Sequence, residues 1–433
     1  MRYAATLKDI PNAFDPLALS MQELARFYYN GTMPARTKDK YVSPIEDIYE
    51  DCIGQSVHNT FLLLGNRGCG KSTELNAMSA RLMKEGFPVV TVECGYNLNL
   101  KDPVYTDLLF LMGEALLSVA KDKGCTLANK TENIIRNFWA DVESTTTITK
   151  GSDLGVEFGI STETPPPVSL ILKLIGTIKT ELKANTEIRT TCREQIKKHL
   201  GDWINALNQI ATSIAQKLNG KRPIIIFEDL DKLHSTEVWK VFYEDASKLA
   251  GFKFPVIYTF PSAFSYDPRF QMLELYFIPK KFPMIQLEQI DGTTYEKGYE
   301  AIIKIIEKRA NPALFNEDAL RLLIQKTGGS LRNLFTTINA SFKRANRRKS
   351  NIIQGEDVEW ALKDFRDSLT IQIDSESYVF LANICRGNHQ QIEDRKMLLE
   401  MLQKGIVLEH DGWYNVHPLI VDFLKDQGLI CYD

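Results

Sequence analysis

Short, almost wholly apolar runs alternate with longer segments of helical spacing as far as Phe260. Phe61-Leu62-Leu63-Leu64, the run Pro88 to Cys94, Ile224-Ile225-Ile226-Phe227 and the run Phe254 to Phe260 lack strict polar alternation, as strands covered on both faces do. Between them, apolar residues fall three and four apart. This holds in Thr73 to Lys84, in Tyr105 to Lys121 (Leu108, Leu109, Met112, Leu116) and in residues 201–218 (Trp203, Leu207, Ile210, Ile214). Strands and helices in that alternation predict an α/β fold with a parallel sheet. Ahead of it, Ser20 and Glu23 are spaced as a capping box for a helix to about Tyr29, which Asn30-Gly31 ends. A second helix is expected from Pro44 to Gly54.

Beyond Phe260 the spacing is mainly helical. One helix over 297–310 ends in Lys308-Arg309-Ala310, and Asn316 opens the next. Gly328-Gly329 closes that one and Ser330 caps another. In the last stretch, Tyr378 to Ile384 and Arg395 to Lys404 are helical in pattern. Gly405 to His410 and Trp413 to His417 then alternate around Asp411-Gly412, a hairpin signal, and Leu419 to Gln427 reads as a final helix. Residues 130–200 interrupt the α/β pattern. Thr145 to Thr149 and Leu154 to Ser161 are candidate strands, Pro165-Pro166-Pro167 excludes regular structure, and Ile171, Leu174, Ile175, Ile178 and Leu182 mark an amphipathic helix. The expectation is a hairpin and helix inserted between core elements.

Composition narrows the class. The chain has 433 residues, 44% hydrophobic and 25% charged, with formal net charge −3, so no global basic field recruits nucleic acid. The seven cysteines form no CxxC pair and no zinc spacing, which suits a reducing cytoplasm. No apolar run reaches the roughly 20 residues of a membrane span, and the N-terminus lacks a signal-peptide core. A cytoplasmic protein without membrane partners is expected.

Chemistry concentrates after two of the apolar runs. Gly65-Asn66-Arg67-Gly68-Cys69-Gly70-Lys71-Ser72 fits G-x-x-x-x-G-K-[ST] and stands between a strand and a helix, the context of a phosphate-binding loop. Its backbone N–H groups and the following helix N-terminus cradle phosphate, Lys71 reaches the β- and γ-phosphates, and Ser72, followed by Thr73, holds Mg²⁺. Ile224 to Phe227 runs into Glu228-Asp229, with Asp231 two residues on. Carboxylates at the C-terminal end of a buried strand sit where ligands bind in α/β folds. The stretch resembles a Walker B strand, which implies Glu228 as the aid to Mg²⁺ and Asp229 as the base for an attacking water, with the two roles open to exchange because the carboxylate order is reversed, and Asp231 as a third candidate.

Together these stretches, the Thr259 strand and Thr327-Gly-Gly-Ser-Leu-Arg-Asn-Leu334 resemble AAA+ ATPases, closest to the STAND and initiator-like branch. That resemblance implies a P-loop NTPase core over 41–290 with its insertion at about 130–200. A lead-in over 1–40 precedes it, and a helical lid over 291–366 and a winged-helix domain over 367–433 follow. It implies Tyr41-Val42 against the nucleotide base, Thr259 or Ser262 as the sensor after the fourth strand, Arg269 as an arginine finger, and Arg332 as a lid arginine on the γ-phosphate. It departs from the pattern in reading Glu-Asp where Asp-Glu is usual. The implied function is an ATP- and Mg²⁺-dependent switch that hydrolyses ATP. It would self-associate and act on a separate effector protein, since no nuclease, protease or NADase signature is present. Many bacterial proteins of this organisation serve in antiviral defence. A DNA-loading ATPase and a non-hydrolysing nucleotide-dependent scaffold are the alternatives. Residues 367–433 carry five basic against eleven acidic residues, which disfavours nucleic acid there. The run Lys343-Arg344, Arg347-Arg348-Lys349 is the remaining nucleic-acid candidate.

Overall fold

The apolar runs become the strands of one parallel sheet in the computed structural model. The model describes residues 1–37, 43–54, 56, 59–135, 138, 183, 185–387, 389, 392 and 394–431. Strands β1 (Thr60–Leu64), β2 (Val89–Glu93), β3 (Ile224–Glu228), β4 (Val256–Phe260) and β5 (Ile278–Lys281) are ordered β2-β3-β4-β1-β5. β1, β3 and β4 are buried along their whole length, which is why they read as unbroken apolar runs. β5 escaped the sequence pattern because it is a short polar edge, Ile-Pro-Lys-Lys, only half buried. Parallel registers, Glu93 beside Glu228 and Leu64 beside Phe260, bring the strand C-termini to one edge.

The N-terminal segment is built into the body rather than leading up to it. Ala4, Ile10 and Phe14 share a core with Ile302, Ile306, Leu334 and Ile338, and Asn339 Nδ2 donates to Phe14 O at 2.7 Å. Helix α1 (Met21–Phe27) is capped by Ser20 and Glu23, as their spacing predicts.

Helix α2 (Pro44–Ile53) and helix α3 (Lys71–Lys84) cover one face of the sheet through Ile45, Ile48, Leu75 and Met78. Helix α4 (Tyr105–Asp122) lies on the other face. Two expectations within 130–200, the strands at 145–161 and the helix at 171–182, lie outside the described residues, as do Tyr41 and Val42. The end of that stretch packs on the core. Helix α5 (Thr186–Lys198) buries Ile188, Cys192 and Ile196 in the main core, and Arg193 pairs with Asp102 at 2.9 Å and Asp107 at 2.7 Å. Its few apolar residues among many polar ones hid it. Helix α6 (Leu200–Lys217) packs beside α4, with the Trp203 indole so close to Gly113 that a Cβ there would lie 2.8 Å from it.

The second layer is helical. Helices α7 (Glu296–Glu307), α8 (Glu317–Lys326), α9 (Leu331–Arg347) and α10 (Gly355–Thr370) form the lid region. Helices α11 (Ser375–Cys385) and α12 (Arg395–Lys404), the hairpin β6 (Val407–Glu409) and β7 (Tyr414–Val416), and helix α13 (Pro418–Asp426) follow in the anticipated order. Lid and C-terminal unit share one hydrophobic cluster, including Leu334, Val358, Met401, Val416 and Leu419. Gly329, at φ 79°, sits where a Cβ would be 2.0 Å from Ile285 O. Gly329→Ala is therefore expected to cost more than about 1 kcal/mol, measured as a lowered midpoint in denaturant unfolding.

Candidate nucleotide-binding site

The loop after β1 folds because its glycines take conformations other residues resist. Gly68 has φ 81° and Gly70 φ 104°, both left-handed, and Gly70 is the N-cap of α3. Gly65 is needed for space, since a Cβ there would meet Phe282 O at 2.7 Å. Lys71 is buried, and its Nζ donates to Gly65 O at 2.6 Å and Asn66 O at 3.1 Å, curling the loop around the ammonium. The same Nζ pairs with Asp231 at 3.0 Å. Burial opposes ionisation of the Asp231 carboxyl, but the charge and hydrogen bond of Lys71 outweigh it and hold the carboxyl below its usual range.

Ser72 Oγ donates to Glu228 Oε2 at 2.7 Å, so the residues expected at the metal stand together. Burial pushes the Glu228 carboxyl up to about 7, helped by Asp231 and opposed by the Ser72 hydrogen bond and Lys71. These are hard oxygen donors, the kind Mg²⁺ takes, and Mg²⁺ usually keeps only one or two protein ligands beside phosphates and water. No group of three or more His, Cys, Asp or Glu that could cage a metal occurs among the described residues.

Asp229 takes a left-handed conformation at φ 72°. Its carboxylate pairs with Lys232 at 2.5 Å and abuts Gly95, where a Cβ would lie 2.5 Å from Oδ2. Asp231, rather than Asp229, is the carboxylate on Lys71. The Thr259 hydroxyl is engaged in the sheet: it donates to Phe227 O and accepts from Leu230 N, both at 3.1 Å, and the residue is 1% exposed. Thr259 thus braces the carboxylate turn, and Ser262 is the side chain that reaches the loop, donating to Asn66 Oδ1 at 2.6 Å. Arg269 is folded onto its own loop, paired with Asp267 at 2.6 Å and stacked on the Trp239 ring at 3.3 Å. Arg67 donates to Lys232 O at 2.9 Å, and Thr73 Oγ1 accepts from Leu19 N at 3.3 Å.

Arg332 comes to the loop from the lid. Leu331 N and Arg332 N at the start of α9 donate to Gly68 O at 3.0 and 3.4 Å. The Arg332 side chain is exposed, has no ion pair among the described residues and lines the cleft with Gly68, Gly70, Lys71 and Ser72. Opposite the loop, the cleft is walled by Pro16 to Leu19, Tyr28 and Tyr29, and by Ile305, Arg309 and Phe335 of the lid. The N-terminal wall was not foreseen, because nothing in its local pattern marks a contact made with α3, such as Tyr28 Oη to Glu74 at 2.6 Å. Arg36 was missed for the same reason; it is buried and donates to Cys69 O at 2.8 Å.

The raised Glu228 carboxyl carries a pH signature. Neutral Glu228 favours the folded state fully below the ordinary value of 4.5, and that contribution is lost as pH rises through about 7. Glu228→Gln is therefore expected to become more stable relative to the unsubstituted protein as pH goes from 5 to 8, measured by thermal melts across that range. A constant difference would contradict the assigned burial.

No protein-family model matches the chain, and no curated protein sequence matches it. Solved structures align over most of its length at low identity. The Walker-type ATPase PABY2304 of Pyrococcus abyssi covers 95% of this chain and 99% of its own, at 14% identity and TM-score 0.44. The Aeropyrum pernix ORC1 protein in complex with DNA covers 89% and 92%, at 12% identity and TM-score 0.37. A Thermotoga maritima RuvB variant covers 88% and 92%, at 9% identity and TM-score 0.37. Likenesses this distant add nothing to the assignment, which stands on the molecule itself. The five-stranded parallel sheet, the glycine loop after β1, the carboxylates after β3 and the helices over that loop give the chain an α/β fold of the P-loop type.

Proposed function

We propose that this protein is an ATP-binding and ATP-hydrolysing switch whose lid and C-terminal unit respond to the nucleotide. The observation that carries the reading is the contact of the lid helix α9 with the phosphate loop itself, through Leu331 N and Arg332 N on Gly68 O. A ligand that reshapes this loop acts directly on the helix that anchors the lid. The lid shares its core with the C-terminal unit, so both move together or not at all.

Entry of a triphosphate exchanges one partner of Lys71 for another. Its ammonium leaves Asp231 and takes the β- and γ-phosphates, while Arg332, without a carboxylate partner among the described residues, turns to the γ-phosphate. Ser72 and Glu228 would hold Mg²⁺, which neutralises charge on the phosphate oxygens. For hydrolysis, water attacks the γ-phosphorus in line and gives its proton to Asp229, and the bond to the β-phosphate oxygen breaks, leaving ADP and phosphate. Asp229 must first release Lys232, so turnover is expected to be slow. Self-association and a separate effector protein, in the manner of STAND switches in antiviral defence, complete the reading by resemblance.

A DNA-loading role has less support. In the basic run, Arg348 pairs with Asp357 at 2.7 Å and Glu356 at 2.6 Å, and Arg344 lies over the Trp360 ring at 5.8 Å, so two of its charges are turned to neighbours.

Lys71→Ala is expected to abolish ATP binding in isothermal titration; retention of binding and turnover would overturn the proposal. Asp229→Asn is expected to keep binding and to lower phosphate release at least about a hundredfold. Unchanged release would favour the non-hydrolysing scaffold. Arg332→Ala is expected to weaken ATP more than ADP, and to remove any ATP-dependent change of oligomeric mass seen by light scattering.

A further inference from the structure

Beneath the phosphate loop lies a cation that the reading above does not use. Arg36 is 1% exposed and forms no ion pair with a carboxylate among the described residues. Its guanidinium donates to Thr32 Oγ1 at 3.2 Å, Pro283 O at 2.7 Å and Cys69 O at 2.8 Å, and it stacks on the Phe282 ring at 4.3 Å. These partners come from three separate stretches: the N-terminal segment, the strap after β5 and the loop. The strap meets the loop's other end as well, where Phe282 O abuts Gly65. Gln286 fastens the arginine's own backbone, with Gln286 Nε2 donating to Arg36 O at 3.2 Å and Gln286 N to Ala35 O at 2.8 Å.

Burying a guanidinium is costly unless its donors are used; the Glu74 carboxylate favours its charge from nearby, and one donor is spent on the peptide between Cys69 and Gly70. In a trans peptide the C=O and N–H point in opposite directions. A charge-assisted bond that pins Cys69 O below the loop therefore pins the Gly70 N–H on the opposite side. Gly70 is a cleft-lining residue at φ 104°, where a glycine peptide could otherwise rotate freely. The same bond polarises that peptide and makes its N–H a stronger donor to an anion.

Resting on the nucleotide reading of this cleft, we propose that Arg36 is a positioning residue of the phosphate loop: it fixes the Cys69–Gly70 peptide so that its N–H faces the β-phosphate. Arg36 touches no phosphate itself. It also makes loop geometry depend on the N-terminal segment and on the strap that leads to the lid.

The test uses the full chain with ADP as probe. Labelling with 13C-carbonyl cysteine and 15N-glycine selects only the Cys69–Gly70 and Cys94–Gly95 peptides, the two Cys-Gly pairs in the sequence. In the unsubstituted protein, ADP is expected to shift the Gly70 amide strongly downfield. Arg36→Met is expected to weaken ADP roughly tenfold or more, the scale of one charge-assisted hydrogen bond. At saturating ADP its Gly70 signal should fall short of the unsubstituted position, and Arg36→Lys should recover part of both effects. Thr32→Val, which frees one side of the guanidinium, is expected to give a smaller change in the same direction. Wild-type affinity and a wild-type Gly70 shift in Arg36→Met overturn the inference. If that variant is unfolded by circular dichroism, the same two results in Thr32→Val overturn it. Failure of the unsubstituted protein to bind ADP overturns instead the nucleotide reading, and this inference with it.

Discussion

Two backbone N–H groups of one helix end on a single carbonyl of the phosphate loop, and much else depends on that junction. The first N–H groups of a helix have no partner within it. In α9 two of them use Gly68 O, so the lid begins where the loop turns. The approach is possible only because Gly68 has no side chain: a Cβ there would lie 2.7 Å from Ser330 Oγ and 2.8 Å from Arg332 Cβ. Helices α3 and α9 thereby both present their N-termini at the same cleft, and their positive dipole ends add to the charges of Lys71 and Arg332.

Around that junction the charges are balanced in pairs that a phosphate could exchange. Lys71 is held by Asp231, Asp229 by Lys232, and Glu228 by the Ser72 hydroxyl. Lys71 and Glu228 are buried, so their pairings matter more than they would in water, because an unpartnered charge there is strongly disfavoured; Asp229 and Lys232 are part exposed. The Glu228 carboxyl, raised to about 7 by burial, is close to its balance point at neutral pH. A metal–nucleotide complex, the ligand proposed above, would bring both an anion and a cation to this cluster.

Much of this was legible beforehand. The apolar runs marked β1 to β4 because buried parallel strands need apolar residues on both faces. The glycine loop and Glu228 were found by their fixed position after such strands, and the hairpin by its Asp-Gly turn. The polar edge strand β5, the weakly apolar helix α5 and the N-terminal wall of the cleft were not legible. Each is held by contacts distant in sequence, such as Arg193 on Asp102 and Tyr28 on Glu74, and leaves little periodic trace. Thr259 and Arg269 show what position along the chain leaves open. Their places in the chain suggested work at the phosphate, yet the nearest partners of their side chains are Phe227 O and Leu230 N for one, and Asp267 and Trp239 for the other.

The sequence by itself determined the kind of sheet, the loop that can cradle phosphate and the carboxylates that follow β3, because those features are local: burial pattern, backbone freedom and spacing along the chain. Only the tertiary structure decided which carboxylate meets Lys71, which hydroxyl reaches the loop, and that Arg36 lies beneath it. Those choices depend on how segments far apart in sequence meet, where a few tenths of an ångström and the direction of one peptide decide which donor finds which acceptor.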